Sequence, residues 1–249
     1  MISALKMSRH PLMLMVTLLI MTSCSKSNDP TPAPEVKPPA NNGGTVPFYK
    51  VQRVENFAAP TDDANPTAPA VTVYYSLENK EIAPAIYAQT TRWDIAFGGL
   101  YNSFMSGNNG KDANNYGNGG AGTGGILIID KPFDQVTAVP ADAQFKTRKD
   151  LIGTDDLGDF GEGTGWYLYD FAGTKLGDGS YNKQHVAYAM PEKRTVIVRT
   201  ANGYYAKIKM ISCYKDAFTA DKWLRNTPHM YFTFEYVLVP KGSTKFEIK

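Results

Sequence analysis

Cysteine and histidine are the scarcest chemistry in this 249-residue chain, which holds two of the first and three of the second. With two cysteines there is no framework of paired thiols and no four-cysteine zinc site, so stability has to come from burial. No H-E-x-x-H, G-x-S-x-G or phosphate-binding glycine loop occurs, and His185 and His229 stand far apart in the sequence. No nucleophile–base pair can be nominated, and the chain does not read as an enzyme. An excess of one charge is also missing. The chain has 26 Lys+Arg against 24 Asp+Glu, and Lys6 and Arg9 lie in the first ten residues, so everything after them is balanced. Balanced charge gives no electrostatic reason to expect a nucleic-acid partner. The apolar run at 12–21, broken only by Thr17, is about half the ~20 residues a helix needs to cross a bilayer.

That short run follows Lys6, Arg9 and His10 and is followed by Met21-Thr22-Ser23-Cys24. A basic start, a short apolar stretch and small residues before a cysteine describe a lipoprotein signal peptide over residues 1–23. Cys24 then carries the lipid, which anchors the chain to a membrane and leaves Cys213 alone, without a disulfide partner. Residues 24–45 read as a disordered tether: Pro30, Pro32, Pro34, Pro38 and Pro39 sit among Ser, Asn, Ala and Thr, and Asn41-Asn42-Gly43-Gly44 closes the segment. It has no apolar period to bury. Residues 46–249 form one domain, in which about 70% of the unfolded surface can be buried. Its 15 Tyr and 12 Phe, most of them here, supply core bulk.

The domain reads as all-β and antiparallel, with sandwich-like sheets. Val71, Val73 and Tyr75 alternate with Thr72 and Tyr74, and Glu78-Asn79-Lys80 resembles a turn. The apolar run at 126–129 suits a central strand. Residues 195–200 and 204–214 flank Asn202-Gly203, the signature of a hairpin with a type I′ turn. Strand parity places Tyr204, Ala206, Ile208 and Met210 inward, with Lys207 and Lys209 outward. In the last strand Met230, Phe232, Phe234, Tyr236 and Leu238 share one face, opposite His229, Thr233 and Glu235. No segment sustains a 3.6-residue apolar period.

Three stretches need separate readings. Residues 60–69 and 106–125 read as mobile loops, the second because it holds eight glycines and five asparagines. Gly117, Gly119 and Gly122 match G-x-G-x-x-G, but they open a strand rather than a helix, so the match is compositional. Asp155, Asp156, Asp159 and Glu162 cluster between glycines; their spacing is not that of a calcium loop, and a solvated loop accounts for them.

From Val73-Tyr74-Tyr75-Ser76-Leu77 onward the chain resembles the HmuY-like haem-binding lipoproteins of Bacteroidetes. The likeness runs in order through Trp93-Asp94-Ile95-Ala96-Phe97, Tyr101-Asn102-Ser103, Phe133-Asp134-Gln135-Val136-Thr137-Ala138-Val139-Pro140 and Gly165-Trp166-Tyr167. It continues through residues 193–199 and 201–208 and closes at Phe232-Thr233-Phe234-Glu235-Tyr236. The resemblance implies an all-β fold, a lipid anchor at the outer membrane facing the cell surface, and capture of haem for a TonB-dependent receptor. It also implies two axial His or Met ligands, one between the Val-Pro motif and Trp166 and one shortly after Trp166. Iron accepts imidazole, thioether, thiolate or phenolate donors, yet residues 141–184 contain no His, Met or Cys, and Phe171 stands where the second ligand is expected. His185 and Met190 are the candidate haem ligands that remain, with Met105, Tyr167 and Tyr169 behind them. Packing explains the two tyrosines, Trp93 and Trp166 more simply. The competing reading is a ligand-deficient paralogue that acts as a surface protein- or glycan-interaction module.

Overall fold

The computed structural model describes residues 45–65, 70–158 and 161–249, so Cys24, the signal segment and nearly all of the tether lie outside the described residues. The strands are β1 (Val51–Ala58), β2 (Val73–Ser76), β3 (Glu81–Ala83), β4 (Ile95–Gly98), β5 (Phe104–Gly107), β6 (Gly125–Ile129), β7 (Leu157–Gly158), β8 (Gly161–Glu162), β9 (Tyr167–Asp170), β10 (Val186–Ala189), β11 (Thr195–Arg199), β12 (Tyr205–Tyr214) and β13 (His229–Val239). Every named strand pair is antiparallel, and the only helices among the described residues are single 3₁₀ turns. The fold is all-β, as the alternation predicts.

A five-stranded sheet in the order β1-β13-β12-β11-β6 faces a four-stranded sheet in the order β3-β2-β4-β5. Period-two alternation puts Ala206, Ile208 and Met210 of β12 and Phe232, Phe234, Tyr236 and Leu238 of β13 into the space between them. There Phe97 of β4 stacks on Phe232 with centroids 3.9 Å apart, and Tyr75 of β2 meets Phe234 edge-on at 5.7 Å. Trp166 closes the end of this core against Phe232, its indole N–H donating to the Ser103 carbonyl at 2.8 Å.

The outer face of the five-stranded sheet is buried too, and this overturns the outward placement of Lys207. Ile197, Tyr205, Val237 and Val239 pack there under Phe133, Val136 and Phe246. Lys207 is 2% exposed; its ammonium donates to the carbonyls of Phe133 (2.8 Å) and Val136 (3.0 Å) and lies 4.1 Å from the Phe133 ring centroid. Strand parity was right about the face and silent about the segment that covers it. Lys209 is partly exposed.

Three further expectations change. The 126–129 run is the edge strand β6, not a central one, and its remaining side is closed by a backbone pair between Ile126 and Lys146. The 106–125 segment is packed rather than loose: Asn108, Asn109 and Asn115 are buried. Asn108 donates to the carbonyls of Thr90 and Trp93, both at 2.8 Å, Asn109 to Gly124, and Asn115 to Gly107 and Thr147. The asparagine amides do the work of a small core. At Asn202-Gly203 only Gly203 has positive φ, +89°. Its N–H reaches the Thr200 carbonyl and the Thr200 N–H reaches the Tyr204 carbonyl, so the hairpin closes through a three-residue turn with a left-handed glycine instead of type I′.

Candidate functional site

Beyond Trp166 the chain forms the β9–β10 pair, in which Asp170 lies opposite Val186 and Tyr167 opposite Ala189. One step past that register, Phe171 stands across from His185, whose N–H donates to the Phe171 carbonyl at 3.2 Å. The connection between them is built around one carboxylate. Asp170 accepts backbone N–H groups from Thr174 (3.0 Å), Lys175 (2.9 Å), Leu176 (2.9 Å) and Gly177 (3.2 Å). Burial would raise this carboxyl, but the four bonds outweigh it and hold it below the ordinary carboxylate range.

The same connection is tied to the turn that follows β12. Lys183 Nζ donates to the carbonyls of Ala220 (3.3 Å) and Trp223 (3.2 Å), and the Arg225 N–H donates to Asn182 at 2.8 Å. The Arg225 guanidinium covers the Tyr181 ring at 4.6 Å. On this braced scaffold Phe171 is 65% exposed, Tyr181 61% and Leu176 59%. The connection thus holds three large apolar side chains out to solvent.

His185 immediately precedes β10. Its backbone is left-handed, φ +57°. Its Nδ1 is 2.8 Å from the Tyr169 hydroxyl, and its ring meets Phe171 edge-on with centroids 4.6 Å apart. Nε2 has no hydrogen-bond partner among the described residues. Burial, and then the Arg225 guanidinium, hold the imidazole below its ordinary pKa, so the neutral ring that can donate a lone pair is the resting form at pH 7.

The other candidates are placed differently. Met190 lies just past the opposite end of β10, about 16 Å along an extended chain from His185, so the two do not converge on one iron. Met105 is in β5, fully buried in the main core. Tyr167 is buried with its hydroxyl 2.9 Å from Ser103 Oγ, and burial pushes it far above the ordinary phenol range. Tyr169 serves His185. Trp93 and Trp166 are core residues, as packing predicts. His229 engages both nitrogens, Nδ1 with the Thr227 carbonyl at 3.1 Å and Nε2 with Asp63 at 2.9 Å. Cys213 is buried, its thiol pushed up to about 12.

Of the acidic cluster, Asp159 and the side chain of Glu162 lie outside the described residues. Asp155 is bound by Arg194 at 2.8 Å and Asp156 by Lys175 at 2.9 Å, and no group of three potential metal ligands occurs among the described residues. Arg225, missed in the sequence, joins the site only through folding; nothing in its neighbourhood, Trp223-Leu224-Arg225-Asn226, announces it.

The residues present would suit a porphyrin with a central metal: an imidazole nitrogen without a hydrogen-bond partner among the described residues, the exposed Phe171 ring beside it, and the Arg225 guanidinium for carboxylates. The family model described as HmuY protein matches residues 69–236. Among solved structures, the chain is similar to apo PinO from Porphyromonas gingivitis, with 15% identity, 78% of this chain and 99% of that chain covered, and a TM-score of 0.41. It is also similar to the apo HmuY analog (TFO) of Tannerella forsythia, with 14% identity, 76% and 98% covered, and a TM-score of 0.35. None of the curated proteins matches. The family match spans well over half of the chain and includes every strand from β2 to β12; this protein belongs to the HmuY family.

Proposed function

We propose that this chain is a lipid-anchored haem-binding protein of the outer cell surface that captures haem and passes it to a TonB-dependent receptor. The observation that carries the reading is the position of His185: an imidazole whose Nε2 has no hydrogen-bond partner among the described residues, against the exposed Phe171 ring, at the β9–β10 hairpin that begins in the Gly165-Trp166-Tyr167 motif. In that setting His185 would hold the iron, the aromatic side chains would cover porphyrin faces, and Arg225 would meet the propionates. A bound iron would supply only an acceptor orbital; the chain would supply the imidazole and its orientation.

Membership in a family of binding and uptake proteins supports a non-catalytic role. The anchor rests on Cys24 and the residues before it. A lipid-modified terminus carrying more than one acyl chain holds a protein on a membrane against salt. Two experiments test the reading. The mature chain should be retained on haemin-agarose and released by free haemin, and retention equal to that on blank agarose would favour the interaction-module reading. Cys24→Ser should move the protein from the membrane to the soluble fraction, and a variant still membrane-bound after a high-salt wash would remove the anchor.

A further inference from the structure

We propose that the domain stands on its membrane in one orientation, with the end of the sandwich that carries Lys50, Lys80 and Lys241 seated on anionic lipid headgroups and the β9–β10 end turned outward. The proposal rests on the Cys24 anchor of the proposed function. It goes beyond that reading by naming the surface that meets the bilayer and the side chains that hold it there.

The chain enters the domain at one end of the sandwich. Thr45 Oγ1 donates to the Asn79 carbonyl at 3.1 Å and the Val46 N–H to the Glu78 carbonyl at 3.0 Å, which fastens these residues to the β2–β3 turn. Phe48 meets Tyr204 edge-on at 5.2 Å, and Asn202 donates to Glu78 at 2.9 Å, so the β11–β12 turn lies at the same end. Tyr205 pairs with Val239, which brings Lys241, just past β13, to this end as well.

The His185 site lies at the other end. β12 starts at Tyr205 beside the entry and finishes at Tyr214, whose hydroxyl accepts the Ala187 N–H of β10 at 2.8 Å. Strand geometry makes that run about 30 Å long. Arg225 belongs to the connection that leaves β12 at its far end. β1 spans the same direction, from Val51 opposite Val237 to Ala58 opposite Tyr231.

The entry end carries cations with few counter-charges. Lys50, Lys80 and Lys241 are exposed. Lys50 donates to the Lys249 carbonyl, whereas Lys80 and Lys241 make no ion pair among the described residues. Of the nearby acids, Glu78 is buried beneath Asn202 and Glu247 is paired with Lys249 at 2.9 Å; Glu81 is exposed. Val51 and Ile82, both exposed, follow Lys50 and Lys80 within two residues. Ammonium groups beside exposed aliphatic side chains suit the boundary of a bilayer, where phosphates meet acyl chains, better than they suit a free anion. A chain the length of residues 25–44 spans at most about 70 Å. An anchor at Cys24 therefore makes the contact intramolecular, and a few weak charge contacts suffice to select an orientation.

The experiment is energy transfer from one fluorophore on the domain to acceptor-labelled headgroups, with the lipidated mature chain in vesicles of phosphatidylcholine and phosphatidylglycerol. Ser243→Cys carries the fluorophore at the entry end and Lys222→Cys at the far end; Cys213, buried with its thiol pushed up to about 12, does not compete for the label. Transfer should be higher from residue 243 than from residue 222. The difference should be lost in Lys80→Asn/Lys241→Gln, in phosphatidylcholine alone, and at high salt. Asparagine serves at residue 80 because the backbone there is left-handed, φ +56°. Both lysines are exposed, so the double variant should unfold at the wild-type temperature. Equal transfer from the two positions, or more from residue 222, overturns the orientation. A difference that persists in the double variant and in neutral vesicles overturns the lysine contact. A lipidated chain that does not float with the vesicles overturns the anchor reading and this proposal with it.

Discussion

Lys207 shows how one side chain can hold two parts of the protein together. It comes from near the start of β12, and its ammonium satisfies the carbonyls of Phe133, in the Phe133–Gln135 turn, and of Val136 just after it. Burial lowers its pKa, with Asp134 opposing. Lys207→Met keeps the length and apolar stem but leaves both carbonyls without a donor, at a cost of about 1–3 kcal/mol. Denaturant unfolding should show that loss with an unchanged m-value. A variant as stable as wild type would mean that water reaches the two carbonyls. Gly165 makes the opposite kind of contribution, through what it lacks: a Cβ there would stand 2.0 Å from the Gly153 carbonyl oxygen and 2.3 Å from the Thr154 carbonyl carbon. The glycine of Gly165-Trp166-Tyr167 lets two backbones touch and so aims the β9–β10 hairpin.

At the scale of elements, the β11–β12 hairpin offers the sharpest test. Gly203 holds φ +89° and a Cβ there would meet nothing closer than the Lys241 side chain at 3.5 Å. Gly203→Val is therefore penalised by backbone strain rather than by a clash, at about 1–3 kcal/mol, and its melting temperature should fall; no change would place the positive φ elsewhere. This hairpin was legible because β-branched residues and Asn-Gly announce it, although the turn type was not. The edge strand β1 was not legible, and the reason is physical. Asn56 sits at φ +53° and shifts the register between Val54 and Phe57, so these two core residues stand three apart rather than two. A bulge erases the alternation that a sequence reading depends on. The site was half legible. His185 could be named, but its pairing with Phe171 depends on the β9–β10 register, and Arg225 arrives from a turn more than 35 positions later. The Asp94 of Trp93-Asp94-Ile95-Ala96-Phe97 carried no readable role until folding placed it under the N–H groups of Leu77 (2.7 Å), Glu78 (3.2 Å) and Ala201 (3.1 Å).

Asp94 also sets a property of the whole molecule, because it joins β4, the β2–β3 turn and the β11–β12 hairpin in one buried knot. Burial, and then the neighbouring Glu78 carboxylate, push its carboxyl up to about 7, against the three N–H bonds. The folded state therefore keeps a proton on Asp94 that the unfolded chain releases near pH 4. Where the native state binds more protons, stability falls as pH rises. This contribution is complete below the unfolded value and is lost as pH climbs through about 7. Thermal unfolding between pH 5 and 8 should show a declining stability that flattens in Glu78→Gln, which removes the like charge; an identical slope in the two proteins would contradict the linkage. The two buried faces of the large sheet, the asparagine-packed 106–125 segment and this knot make a stiff body. From it the β9–β10 connection projects Phe171, Leu176 and Tyr181 into solvent.

Haemin titration of the detergent-solubilised mature chain, followed in the Soret band, tests the central claim most directly. The site described here predicts a saturable, one-to-one red shift with Kd at or below about 1 μM, equivalent to about −8 kcal/mol. A linear, non-saturating absorbance change at haemin concentrations of about ten times that value would contradict it.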